Sequence, residues 1–207
     1  MKFKLLFSYR FLLFILSVLG VYLQLTKHGG FGMMLYYTIL SNMLVMFFMG
    51  DMVWRMVRGR STQTQDYLRM KGAVTMSIMI TCVIYHFMLA PLATPEKFYR
   101  LENFLCHYIV PLMFFFDTLV IDKAKQYRKL DPFLWTLIPL AYMLFALLNG
   151  LVLKWPIPGA KDSPFAYFFI NVNKYGWAFV GKWVVIIFIA YLLAGYVLYG
   201  IKNIKRK

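Results

Sequence analysis

Thr38, Ser41 and Asn42 stand at i, i+3 and i+4, the spacing that places three polar groups on one stripe of a helix. His107 precedes Pro111 by four residues. Proline has no N–H, so the carbonyl of His107 loses its intrahelical partner and the helix is expected to bend there. A hydroxyl and an imidazole are the parts of a nucleophile–base pair, in which the ring takes the hydroxyl proton as oxygen attacks a carbonyl. Each also has a plainer use. Ser, Thr and Asn satisfy neighbouring carbonyls and let membrane helices approach closely, and a histidine beside a proline kink serves equally as a hydrogen-bonded buried residue. Cys106 adjoins His107, which turns the two side chains about 100° apart on a helix and denies them a shared hydrogen bond. Cys106 and Cys82 read as small packing residues.

Whether these groups meet depends on the elements that carry them. The 207 residues are 61% hydrophobic and 15% charged, with a mean hydropathy of +0.64, where a soluble domain has about 45–50% and about 25%. A single core of this size does not hide that much apolar surface, so the excess faces lipid. A soluble enzyme, a nucleic-acid module and a disordered tail are thereby excluded. The net charge of +15 falls in the gaps between apolar runs, a membrane pattern rather than a phosphate-binding stripe. Membrane lipids, not nucleic acid, are the expected surroundings.

Six windows are long enough to cross the bilayer as helices: 5–25, 33–54, 73–92, 101–121, 132–153 and 182–201. The fold class is all-α, a single six-span transmembrane bundle. Short-loop Lys and Arg number fifteen on one face against seven on the other, which sets both termini in the cytoplasm. The first span is too long, and lacks the small-residue site, for a cleaved signal peptide. Segment 154–181 is rich in Pro and aromatics and too interrupted to span; it reads as a lid or as an interfacial anchor.

Depth sorts the intramembrane polar residues. With a rise of about 1.5 Å per residue, Thr38 lies about 8 Å below the outer end of its window and His107 about 9 Å. His86 and Asn149 fall in the same outer layer, so four helices contribute to one candidate site. Ser41 or Asn42, a turn from Thr38, is the expected oxyanion donor. An inner layer holds Arg10, Asp51 and Asp117, expected to form a structural ion network because an unpaired charge there is intolerable. A proton or ion pathway is the functional alternative.

The stretches YYTILSN (36–42), CHYIVPLMFFFD (106–117) and PFAYFFINVNKYG (164–176) give the chain its likeness. It resembles the androgen-induced and androgen-dependent tissue-factor-pathway-inhibitor-regulating membrane proteins, and more closely their six-span prokaryotic relatives, along nearly its whole length. Ser41 and Asn42 beside Thr38 follow the prokaryotic pattern. The resemblance implies six spans in a prokaryotic cell membrane. It also implies hydrolysis of a lipid-like ester, of the kind in which a fatty acid esterifies a hydroxy fatty acid. The family's catalytic threonine and histidine fall by motif position on Thr38 and His107, and no cofactor is implied. Two other readings follow from the residues alone. His86 and His107 at one depth suit bis-imidazole haem ligation, and Arg10, Asp51 and Asp117 suit a transport relay, although no inverted repeat accompanies them. A zinc site needs three protein ligands, and the third histidine, His28, lies in a loop.

Overall fold

The computed structural model describes residues 3–160 and 163–203. Among the described residues six apolar helices are long enough to cross a membrane: α1 (Phe3–His28), α2 (Tyr37–Val57), α3 (Gln65–Leu92), α4 (Leu101–Ile121), α5 (Asp131–Leu153) and α6 (Val172–Asn203). No strand occurs among the described residues. The protein is an all-helical, integral membrane chain. Lys2, Lys161, Lys205, Arg206 and Lys207, counted among the loop charges, lie outside the described residues.

Helices α1 to α4 share the main core, where Leu13, Val45, Met49, Met52, Ile78, Val110 and Phe114 are buried against one another. Their close approach depends on small residues. A Cβ on Gly20 of α1 would sit 3.1 Å from Cys106 Sγ on α4, so Cys106 packs where it was expected to. Helices α5 and α6 join through Trp135, Tyr191 and Tyr127 at one end and Phe165, Phe169 and Val180 at the other. Pro139 has no N–H for the carbonyl of Trp135, and the Tyr191 hydroxyl of α6 donates to that carbonyl at 3.1 Å.

Four π turns widen these helices: Tyr85–Leu89, Leu105–Ile109, Asp117–Ile121 and Asn149–Leu153. Such turns recur at functional sites because each re-aims the side chains it carries. Here they carry Tyr85 and His86, His107, Asp117, and Asn149.

Three boundaries depart from expectation. The chain from Gly30 to Leu35 forms a 3₁₀ turn, so α2 starts at Tyr37 rather than 33. Helix α6 starts at Val172 rather than 182, with Gly176 in a left-handed conformation (φ 78°) that breaks its first turn. The aromatic segment is thus shorter, 154–171. Helix α3 starts at Gln65 rather than 73, which draws Lys71 out of the loop and into the bundle.

Lys71 enters because its charge is met there. At the end of the bundle that holds the start of α1 and the end of α6, Arg10 donates to Asp117 from Nε at 3.0 Å and from Nη2 at 3.1 Å. Lys71 pairs with Asp117 and, at 2.8 Å, with Asp122. None of the four side chains is more than 1% exposed. Two cations thus balance two carboxylates, and α1, α3 and α4 are tied at one level. Lys202 of α6 adds its ammonium to the carbonyls of Thr118 (2.9 Å) and Asp122 (2.7 Å). Asp51, expected in this layer, is not part of it. It is 41% exposed and accepts from Arg55, one turn away, at 2.7 Å.

Candidate active site

Thr38 is the second residue of α2, nearer the helix start than its place in the apolar window suggested. The first N–H groups of a helix have no partner within it, and Tyr36, at the cap position, supplies no side-chain bond. The Thr38 N–H instead meets the hydroxyl of Tyr167, 3.4 Å away on the aromatic segment. Its carbonyl accepts from Asn42 Nδ2 (2.8 Å) and Ser41 Oγ (3.1 Å). The backbone of this residue is therefore fixed on both sides, while its hydroxyl is left to face the cavity.

That hydroxyl lies 3.3 Å from Nε2 of His107, within the reach of a nucleophile and its base. Such bonds shorten when a substrate is bound. The other ring nitrogen, Nδ1, lies 3.0 Å from the backbone carbonyl of Asn103. A carbonyl only accepts, so Nδ1 carries the proton and, in the neutral ring, Nε2 presents its lone pair to Thr38. The ring also stacks on Tyr85, centroid to centroid 3.7 Å. Asn103 holds that tyrosine as well, donating from Nδ2 to its hydroxyl at 2.6 Å and to the carbonyl of Phe98 at 2.8 Å. His107 is 7% exposed. No family model, curated protein or solved structure matches the chain.

Two cavities meet at Thr38. One, of about 110 Å³, lies between α3, α5 and α6 and is walled by apolar groups such as Ile80, Ile84, Leu140, Met143 and Ile187. The other, of about 400 Å³, opens at the end of the bundle away from the ion cluster and reaches His107, Lys97, Arg100 and Glu102. Glu102 is 3% exposed; it is bonded there to His28 Nε2 at 2.9 Å and paired with Lys27 Nζ at 3.4 Å. Lys97 and Arg100 give this mouth a positive lining. Thr38, Tyr85, Leu89 and Tyr167 border both cavities. The site is amphipathic, with an apolar arm, a polar arm and the Thr38 hydroxyl at their junction.

The remaining expected site residues are not in it. Both amide hydrogens of Asn42 are engaged, by the carbonyls of Thr38 and, at 3.0 Å, Cys106. Ser41 bonds Thr81 on α3 at 2.7 Å and is fully buried. Neither borders either of these two cavities, so the stripe of three is real but its lower two members turn into helix contacts, which corrects the oxyanion assignment. His86 faces outward, its Nδ1 3.2 Å from the Tyr108 hydroxyl, while both nitrogens of His107 are already engaged. The shared depth of the two histidines therefore does not make them a pair aimed at one centre. Asn149 holds the aromatic segment instead of the site. Its Oδ1 accepts from the Trp155 N–H at 3.1 Å and its Nδ2 donates to the Pro164 carbonyl at 3.1 Å. Among the described residues no three His, Cys, Asp or Glu side chains are grouped as metal ligands.

The structure adds residues that sequence reasoning passed over. Tyr167 belongs to a stretch so dense in aromatics that no single ring stands out, and only the fold brings it to Thr38. The described residues of the segment, 154–160 and 163–171, pack down onto the bundle, with Phe165, Phe169 and Ile170 buried, and the Tyr36 hydroxyl donates to the Pro158 carbonyl at 2.6 Å. The segment is a cap over Thr38. Its flank keeps an interfacial character too, since Trp155 remains 52% exposed.

Proposed function

We propose that the protein is an intramembrane hydrolase of lipid-like esters, with Thr38 as nucleophile and His107 as general base. The observation that carries this reading is the Thr38 Oγ1 to His107 Nε2 separation of 3.3 Å, made with Nδ1 tied to Asn103. Thr38 Oγ bonds to the ester carbonyl carbon as its proton passes to Nε2. The tetrahedral oxyanion collapses, the ester C–O bond breaks, and His107 returns the proton to the departing alkoxide. Water, deprotonated by the same ring, then attacks the acyl-threonine, releases the acid and restores the hydroxyl.

The two cavities favour an ester with one hydrocarbon arm and one polar arm. The apolar arm fits between α3, α5 and α6, and an anionic end fits the mouth beside Lys97 and Arg100. A fatty acid ester of a hydroxy fatty acid has both features, and this is the substrate class that the resemblance implies. The excess of Lys and Arg at one face further supports a prokaryotic cell-membrane protein with both termini in the cytoplasm and the Thr38 cavity in the outer half. The test is hydrolysis of such an ester by the purified chain in detergent, together with labelling by a lipid-like fluorophosphonate. Thr38→Ala is expected to abolish both. Labelling that persists undiminished in Thr38→Ala removes the proposal.

A further inference from the structure

An ester attacked by Thr38 needs a donor for the negative charge that grows on its carbonyl oxygen, and the two residues expected to supply it are turned away. An ester whose arms occupy both cavities must have its carbonyl where they join. Four residues border that junction: Thr38, Tyr85, Leu89 and Tyr167. Leu89 has nothing to donate. The Tyr85 and Tyr167 hydroxyls each accept a bond and keep a proton to give, but Tyr85, its ring stacked on His107, has its hydroxyl on Asn103 Nδ2 at 2.6 Å, whereas the Tyr167 hydroxyl sits on Thr38 itself.

Tyr167 remains. Its oxygen receives the Thr38 N–H at 3.4 Å, and the Thr38 side chain and the Tyr37 N–H also bear on it. These N–H groups are unpartnered donors at the start of α2, where the helix dipole is positive. A hydroxyl that accepts from them is polarised, which strengthens its own O–H as a donor. The neighbouring Tyr142 hydroxyl gives its proton to the Leu35 carbonyl at 2.8 Å, so where it meets Tyr167 its oxygen is the resting acceptor that the ester carbonyl replaces.

We propose that Tyr167 is the oxyanion donor of this site, its O–H directed at the ester carbonyl oxygen as Thr38 Oγ attacks. The assignment rests on the hydrolase reading above. It also gives the aromatic segment a chemical task, since the cap delivers the group that completes the site. Burial raises Tyr167 above the ordinary tyrosine range, so the proton is retained at neutral and mildly alkaline pH.

The experiment compares wild type, Thr38→Ala and Tyr167→Phe, each as the full chain in detergent, on p-nitrophenyl octanoate and on octyl octanoate. A donor to the oxyanion serves both esters, whereas an acid for the leaving group is needed only by the alkyl ester. Tyr167→Phe is expected to lower kcat on both by roughly 10²–10³-fold, the loss typical of one oxyanion donor, with KM little changed. Should the phenylalanine variant fail to fold, 3-fluorotyrosine at position 167 keeps the shape and sharpens the donor, and its kcat is expected to rise. An unchanged kcat in the fluorinated chain overturns the assignment. Tyr167→Phe with near-wild-type turnover, while Thr38→Ala is inactive, also overturns it and leaves the Thr38 reading intact. Loss confined to octyl octanoate overturns it too, because Tyr167 would then be acting on the leaving group. If hydrolysis of both esters is independent of Thr38, the underlying reading fails instead.

Discussion

The backbone carbonyl of Asn103 and the Nδ1 of His107 lie 3.0 Å apart, one turn along α4. Because the acceptor is main chain, no substitution at position 103 removes it, and the imidazole keeps its tautomer whatever the side chain. The Asn103 side chain has a separate duty, holding the Tyr85 ring on which His107 stacks. Asn103→Ala is therefore expected to loosen the imidazole without deleting it, lowering kcat by roughly ten- to a hundredfold, the scale of a misplacement of about 1 Å. Leaving buried partners unpaired should also cost about 1–3 kcal/mol of stability. His107→Gln removes the proposed base and is expected to cost about 10²–10⁴-fold in kcat. Steady-state ester hydrolysis with thermal unfolding in detergent separates the two. Equal kinetic losses would refute the division of labour.

The parts that periodicity and apolar length control were legible from the residues, and the parts that cross-helix pairing controls were not. Six runs of the right length are six helices because a continuous apolar run of about 20 residues satisfies its own backbone in lipid by coiling. That Thr38, Ser41 and Asn42 share a stripe follows from helical spacing. Which neighbour each faces depends on the rotation of α2 against α3 and α4, and so Ser41 meets Thr81 and Asn42 meets the Cys106 carbonyl. Lys71 reads as a loop charge until Asp117 and Asp122 are placed beside it. Asp51 reads as a member of that cluster until its exposure is seen. Tyr167 is separated from Thr38 by 129 residues, and no local signal marks it.

The ion cluster should be a stability element with a large cost of disruption. Asp117 accepts from Arg10 and Lys71, all three essentially without exposure. Asp117→Ala leaves two buried cations facing Asp122 alone, a change that typically costs about 3–5 kcal/mol. Asp51→Ala, at an exposed i,i+4 pair, should cost no more than about 1 kcal/mol. Thermal unfolding of the two variants in the same detergent checks the contrast. Similar shifts would show that burial does not distinguish the two pairs.

Alkaline pH should loosen the cap. Tyr36 donates to the Pro158 carbonyl at 2.6 Å, and burial, then the nearby Tyr167, pushes its hydroxyl from 10.0 up to about 12. The folded chain therefore keeps a proton that the unfolded chain loses, and stability falls with rising pH wherever the native state binds more protons. The contribution of this bond is full below about pH 10 and is lost as pH climbs toward about 12. Limited proteolysis within 154–171 across that interval should show rising cleavage in wild type. Tyr36→Phe, which has no proton to lose, should cleave more readily at neutral pH and change less with alkali. Superimposable pH profiles would sink this account.

Seating of the cap depends on the absence of a side chain at position 150. A Cβ built on Gly150 of α5 would stand 2.0 Å from the Phe165 ring, closer than any carbon pair tolerates. The ring has no room to retreat, since Phe165 is 2% exposed and packed with Ala146, Phe169 and Val180. Gly150→Ala should therefore expel Phe165, and with it shift Tyr167, while leaving Thr38 and His107 on their own helices. Overpacking of this kind usually costs about 1–3 kcal/mol, a modest loss for the bundle. Turnover should fall further than stability, by roughly a hundredfold for a displacement of about 1 Å at the site. Shrinking the ring in the double variant Gly150→Ala/Phe165→Leu should recover part of that activity, because the added methyl then has somewhere to go. Hydrolysis rates of the single and double variants, each corrected for folded fraction, decide the matter. Full activity in Gly150→Ala would mean that the position of the cap is irrelevant to the chemistry at Thr38.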